Sequence, residues 1–288
     1  MWTQRPDLGA ASFRREVLTL GDLDFLSFRA DFSSPRIIAA YDESPLWSAM
    51  FGLLLLDEVP LTSVRRVLDV GCGTGFPLIE LAERLGPAVE VHGVDIWAAG
   101  LQRCREKVEA RATPNVHIHE TSATSMPFAN QVFDLIVSNL GVNNFNDRDA
   151  AIRECRRVAQ RGATIALTIN LRGHMSEFYD VFRSVLEDHD DLTRLEEHIH
   201  HRATVLDVRA LLERNGFVVR RVVQREGVMR FANGAALFKH HFIKLAFLDE
   251  WKKAVPGKEE LIFRELLNRL TGEVRLTIPM AYVEGVAV

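Results

Sequence analysis

The stretch Val67–Phe76, V-L-D-V-G-C-G-T-G-F, constrains this chain more than any other. A short aliphatic run ends around Asp69, and three glycines follow at every second position: Gly71, Gly73 and Gly75. An apolar-periodic helix starts at once through Pro77, Leu78, Ile79, Leu81, Ala82 and Leu85. Strand, glycine turn and helix start together bring a ligand against bare backbone N–H groups. Glycine is needed because a Cβ would hold the ligand off and forbid positive φ.

A second apolar run, Val89–Val94, ends on Asp95, twenty residues beyond Gly75. An acid at the tip of a neighbouring strand suits a ribose, since one carboxylate can accept both hydroxyl hydrogens. A nicotinamide-dinucleotide turn would place its third glycine three residues after the second, where this chain has Phe76. The spacing instead resembles motif I of the class I S-adenosylmethionine-dependent methyltransferases, with Asp95 as their ribose-binding acid.

Taken in order, residues 14–30 alternate around Gly21-Asp22 and predict a small hairpin, although the hairpin-favoured order is Asp-Gly. A helix is expected from Pro45, behind a Ser44 cap, to about Glu58. It is apolar nearly all round, which predicts burial. Strands at Val64–Val70, Val89–Val94, Val116–Glu120, Phe133–Asn139 and Ala163–Asn170 alternate with helices after Gly75, near Ala98–Ala112 and over Asp147–Ala159. That rhythm implies a parallel sheet with right-handed crossovers. Beyond Asn170 helices are expected over His174–Asp188 and Thr204–Arg214, then a strand over Val218–Gln224. A long helical insertion follows (Asn233–Trp251, Lys258–Leu270) before a last strand near Val274–Val283.

The expected class is therefore α/β: a Rossmann-like seven-stranded sheet of the class I methyltransferase kind with helices on both faces. An N-terminal extension and buried helix (1–60) would pack on a cofactor-binding core (61–170). The C-terminal half of the sheet (171–288) would carry a helical lid or insertion at about 233–270.

Thr121–Phe128, T-S-A-T-S-M-P-F, followed by F-D-L-I-V-S-N-L-G-V-N-N, extends the resemblance to the ubiquinone/menaquinone-biosynthesis-like, "type 11" methyltransferase domain over about Val64–Asn170. The resemblance implies that Ser122 and the backbone N–H of Ala123 meet the adenine edge while Ile96 and Met126 sandwich its faces. It also implies that the backbone carbonyl of Asn139 takes the methionine ammonium, with Asp69 and Thr74 near that end. Ser122 stands where an Asp is common, so its hydrogen bond would lack charge assistance. Thr124 could help, and the Ser122 hydroxyl could equally bond its own turn. The implied cofactor is S-adenosyl-L-methionine, with S-adenosyl-L-homocysteine as product.

The formal charge of −4 argues against a general nucleic-acid binder. Cys72, Cys104 and Cys155 show no metal or disulfide spacing, and no apolar run is long enough to span a bilayer. A cytoplasmic protein is expected, with a small-molecule acceptor and no nucleic acid partner. Self-association would run through the N-terminal segment or the insertion.

Methyl transfer from a sulfonium chiefly needs alignment, with a base only if the acceptor must lose a proton. Candidates by position at the carboxyl edge are Asn143, Asn144 and His174, with Tyr179 also near. Tyr41 and Trp47 could close the site from the N-terminal side. The Asn pair could instead cap a loop, and the aromatics could be core. His198 and His201 lie one helical turn apart, near His200, and His240 and His241 adjoin. No Cys or acid joins them at a ligand spacing, so no metal is expected. The apolar stripe Phe231, Leu237, Phe238, Phe242, Leu245, Phe247 and Leu248 is either core or the lining of a lid. An RNA methyltransferase and a silent cofactor-binding scaffold are the alternatives to a small-molecule enzyme.

Overall fold

The alternating runs between residues 64 and 170 form a parallel sheet in the computed structural model, which describes residues 20–43, 46–189 and 192–288. A 3-10 helix at Leu20–Ser27 precedes α1 (Pro35–Glu43) and α2 (Leu46–Glu58). Next come β1 (Arg66–Val70), α3 (Leu78–Leu85), β2 (Glu90–Asp95), α4 (Ala98–Ala110), β3 (Val116–Glu120) and β4 (Phe133–Asn139). They are followed by α5 (Gly141–Asn144), α6 (Arg148–Val158) and β5 (Ala159–Asn170). The C-terminal half contains α7 (Ser176–Glu187), α8 (Thr193–His200), α9 (Val205–Arg214) and β6 (Phe217–Phe231). It ends with α10 (Gly234–Lys239), α11 (His241–Ala246), α12 (Leu248–Lys253), α13 (Glu259–Arg269) and β7 (Val274–Ala287).

The strand order is β3-β2-β1-β4-β5-β7-β6, with β7 antiparallel to both neighbours and the other pairs parallel. Successive strand residues face opposite layers. Val67, Leu135 and Val137 pack with α2, α3, α7 and the insertion, while Leu68, Val70 and Ile136 pack with α6 and α9. Burial on both faces is why these central strands read as unbroken apolar runs. The chain runs outward from β1 to β3 and returns on the other side of β1 with β4. This reversal opens a crevice at the strands' carboxyl ends.

The β6–β7 ribbon is longer than the sheet it joins. Strand β5 ends where Asn170 faces Met280, but β6 and β7 stay paired on to Phe231 and Val274. Because β7 is antiparallel to β5, this overhang lies past the carboxyl end of β5, on the crevice side. It carries α10–α13 there, and the insertion leaves and re-enters the ribbon at a single rung.

Several local expectations are corrected. Leu20–Ser27 is a 3-10 helix, not part of a hairpin; the alternation reflects Leu23 and Phe25, both buried, with exposed Asp24 between them. The earlier part of that hairpin, and the Ser44-Pro45 helix start, lie outside the described residues. The strand expected over Val218–Gln224 continues to Phe231, since an edge strand carries exposed polar residues that mask its period. The single helix expected over Asn233–Trp251 is broken at His240 and Phe247, whose dihedrals leave the helical region. Helix α1 and helix α8 were not expected.

Candidate active site

Each glycine of the turn has positive φ: 82° at Gly71, 51° at Gly73 and 99° at Gly75. Their surroundings differ. A Cβ on Gly75 would lie 2.5 Å from Cys104 Sγ, whereas a Cβ on Gly73 would meet nothing within 4 Å. Gly75 is thus required by packing, and Gly73 presents bare backbone to open space. That space is a cavity of about 1010 Å³ at the carboxyl ends of β1, β2 and β4. Small-molecule sites commonly span ~300–1,000 Å³, so this one lies at the large end of that range.

One end of the cavity is lined by Gly71, Gly73, Thr74, Gly75, Asp95 and Ile96. Asp95 accepts the Gly73 N–H at 2.8 Å and the Trp97 N–H at 2.9 Å. A carboxylate has about four acceptor positions, so capacity remains for a diol. Ile96 is 72% exposed, an apolar side chain left bare at the cavity wall. Ser122, Ala123 and Thr124 line the same end. The Ser122 hydroxyl sits 2.8 Å from that of Thr124 and accepts the Thr124 N–H, so it closes its own turn.

Two residues expected here sit elsewhere. Met126 is buried in the layer with α6 and does not line the cavity, so the face of a ring laid on Ile96 has no Met126 opposite. Asp69 is fully buried off the cavity. Burial first, and the Asp95 charge second, push its carboxyl up to about 8, with the Leu78 N–H opposing.

Asn139 lies between the two ends. Its amide donates to the Ser48 carbonyl at 3.1 Å and accepts from the Thr168 hydroxyl at 2.7 Å, which ties β4 to α2 and β5. The sharp exit from β4 puts Leu140 at φ 65°, and a Cβ on Gly141 would lie 2.6 Å from the Val70 carbonyl. Asn143 and Asn144 follow and line the cavity.

The N-terminal helices build a wall. Tyr41 and Trp47 line the cavity, and Tyr41 meets Trp97 edge-on at 5.8 Å. Burial foremost raises the Tyr41 hydroxyl pKa, so it is a poor base. Asp42 clamps α1 to α4, with Lys107 Nζ at 2.6 Å and Arg103 Nε at 3.0 Å, and it bonds Thr74 in the turn. On α2, Gly52 makes room for the Phe76 ring, which also lines the cavity.

The far end is lined by Trp47, Phe242, Leu245 and Phe247 beside Asn170 and Arg202. Leu237, Phe238 and Leu248 of the apolar stripe are core, while Phe242, Leu245 and Phe247 line the cavity. His174 does not line the cavity; it is 1% exposed, in ring contact with Trp47, Tyr179 and Phe247. Burial above all holds its imidazole well below the ordinary range. Tyr179 is also off the cavity, bonded to His198 Nε2 at 2.9 Å and to the Trp251 indole N–H at 3.2 Å. Among the described residues, no group of three or more His, Cys, Asp or Glu is placed to hold a metal. Sequence reasoning missed Asp42, Asn170 and Arg202 as cavity residues. Asn170 could have been found as the last residue of β5, whereas Arg202 carries no local signal.

A switch-point crevice with a glycine turn and a strand-end acid defines the chain as an α/β fold with its ligand crevice at the carboxyl edge of the sheet. A model of the methyltransferase domain matches residues 61–216, more than half of the chain, and the chain belongs to that family. A demethylmenaquinone methyltransferase of Geobacillus kaustophilus is 34% identical over 126 residues, which are 42% of this chain and 54% of the relative. The chain thus spans about half the length of such curated relatives. Among solved structures, a SAM dependent methyltransferase from Aquifex aeolicus has 23% identity and TM-score 0.53, covering 68% of this chain and 93% of that one. The YcgJ protein of Bacillus subtilis has 18% identity and TM-score 0.53, covering 83% and 98%. These two likenesses concern the fold.

Proposed function

We propose that the protein is an S-adenosylmethionine-dependent methyltransferase acting on a small molecule. The observation that carries this reading is one cavity with two unlike ends, one fitted for an adenosyl group and one for an apolar acceptor. The residues present suit the cofactor. Gly73 offers a cradle that a Cβ would fill, Asp95 keeps free acceptor positions for a ribose, and Ile96 leaves an apolar face bare for a ring. Ala123 N–H and the Ser122–Thr124 hydroxyl pair stand where an adenine edge would be met. Thr74 and the Asn139 carbonyl remain for the methionine end.

When bound, the cofactor supplies an activated methyl group on a sulfonium. The chain's part is to align and to exclude water. The hydrogen-bonded Asp95–Gly73 pair fixes the turn, Asn139 is held at both amide atoms, and the Asp42 clamp ties α1 to α4, with Tyr41 and Trp97 on the cavity wall. Orientation of this kind can supply roughly 7–11 kcal/mol of barrier reduction. The relatives named as demethylmenaquinone methyltransferases support a small-molecule acceptor. No described helix is long and apolar enough to cross a membrane. The reading carries with it a cytoplasmic enzyme with no nucleic acid partner, self-associating, if at all, through α1–α2 or the insertion.

Titration calorimetry with S-adenosylmethionine and S-adenosylhomocysteine tests the proposal. Micromolar binding of both is expected, and binding of neither would overturn it.

A further inference from the structure

The acceptor end of the cavity holds two polar groups that the protein leaves unused. Asn170 is 1% exposed, lines the cavity, and has no hydrogen-bond partner on either its amide oxygen or its amide nitrogen. Arg202 lines the same end, and its Nε is buried without a partner. Buried polar atoms are nearly always paired, so two such groups at one wall mark a place where a ligand completes the bonding.

The charges nearby sharpen this. Every carboxylate lining the cavity is already engaged. Asp42 holds Lys107 and Arg103, Asp95 holds two backbone N–H groups, Asp147 caps α6 through the Ala150 N–H, and Glu80 pairs with Arg84. None of them pairs with Arg202, on which burial, then Tyr179, Arg148 and Glu250 act, the last three through space. A guanidinium has donors in a fixed fork and no acceptor, and a carboxamide NH₂ adds two more donors. Together they match an oxygen bearing negative charge. The rest of this end is apolar: the Trp47 and Phe242 rings stack at 5.7 Å, and Phe247 stands edge-on to Trp47 at 5.2 Å. The imidazole of His174 is buried behind these rings and does not line the cavity.

Resting on the methyltransferase reading, we infer that the acceptor is a ring-sized apolar molecule bearing an anionic oxygen, a carboxylate or an ionised hydroxyl, held by Arg202 and Asn170. The aromatic wall takes the body of the molecule. The acceptor reaches the site already ionised, which is why no base lines that end among the described residues.

The test is calorimetry on the full chain with matched probes, 2-naphthoate against 2-naphthamide and 7-hydroxycoumarin against 7-methoxycoumarin. Each titration is run with and without saturating S-adenosylhomocysteine. An anion is expected to bind at least tenfold tighter than its neutral partner, and the stronger of the two anions tells which oxygen is preferred. Arg202→Gln should erase that preference while binding of the neutral probes and of S-adenosylhomocysteine is unchanged. Arg202→Lys, which keeps the charge, should retain part of it. Equal binding within both pairs, binding of none of the four, or a preference that survives Arg202→Gln overturns the inference. Failure of S-adenosylhomocysteine alone to bind strikes the cofactor reading, and the probe titrations without it still decide this one.

Discussion

The carboxylate of Asp95 accepts the backbone N–H of Gly73 at 2.8 Å, so the acid at the end of β2 fastens the turn that leaves β1. The same side chain is thus part of the ligand cradle and of its scaffold. Asp95→Ala should weaken S-adenosylhomocysteine binding by more than tenfold, since it frees the turn and leaves a ribose diol unpaired. Asp95→Asn should lose less. Unchanged affinity in the alanine variant would move the ribose contact elsewhere.

The glycines of the turn separate folding from binding. Gly75→Ala forces a methyl against Cys104 Sγ at φ 99° and should cost stability by about 1–3 kcal/mol. Gly73→Ala meets no atom and sits at φ 51°, so its folding cost should stay near ~1 kcal/mol. Its methyl fills ligand space, however, and cofactor affinity should fall at least tenfold. Thermal melts paired with calorimetry distinguish the two; matching losses in both assays for both variants would contradict the assignment.

This contrast also shows what could be read from the chain. The motif Val67–Phe76 and Asp95 were legible because a tight turn with positive φ favours glycine, and a parallel strand buried on both faces demands an apolar run. Asp42, Asn170 and Arg202 were not, because each reaches the cavity through tertiary packing. Arg202 follows α8, a helix that no periodicity revealed, and Asp42 acts through Thr74 in the turn and through Lys107 and Arg103, more than sixty residues on. His174 misled for the reverse reason: its place after β5 suggested exposure to ligand, but α2 and the insertion bury it.

The Asp42 clamp should govern closure of the N-terminal wall. Asp42 and Lys107 are both largely buried, so Asp42→Ala strands a cation and should cost about 1–3 kcal/mol. Limited proteolysis should then cut faster within residues 28–46, and bound cofactor should suppress the cutting.

Leu245 lines the far end of the cavity, where the acceptor is proposed to sit, without being fully buried. Leu245→Ala should raise the acceptor KM several-fold, in line with about 1–2 kcal/mol of lost apolar contact, while S-adenosylhomocysteine affinity holds. A shift in both would mean that the insertion supports the whole cavity.

Acid should destabilise the fold through its histidines. Burial first, then His117 and His119, lower His92 to about 4; burial first, then His201, lowers His198 to about 4. A histidine whose folded pKa lies below its unfolded value leaves the unfolded chain holding more protons, so stability rises with pH across that window. The loss should begin below pH ~6.5 and grow toward pH 4. Asp69, raised to about 8, works in the opposite sense, losing stability as pH climbs from its ordinary range. His92→Phe isolates the first effect: between pH 7 and 5 its urea midpoint should drop less than that of the unsubstituted chain. Equal drops would remove His92 as a source.

The pairing of Phe231 with Val274 brings the two chain ends of the insertion together on one rung, while its helices pack into the main core. The chain enters and leaves this module side by side, and Phe238 and Trp251 lock it against Phe178 of α7. Grafting a foreign helical segment between Phe231 and Val274 replaces Phe242, Leu245 and Phe247 together and leaves Gly73 and Asp95 untouched. The residues at the two ends of the cavity thus lie on separate stretches of chain, so either set can vary without a change in the other's sequence.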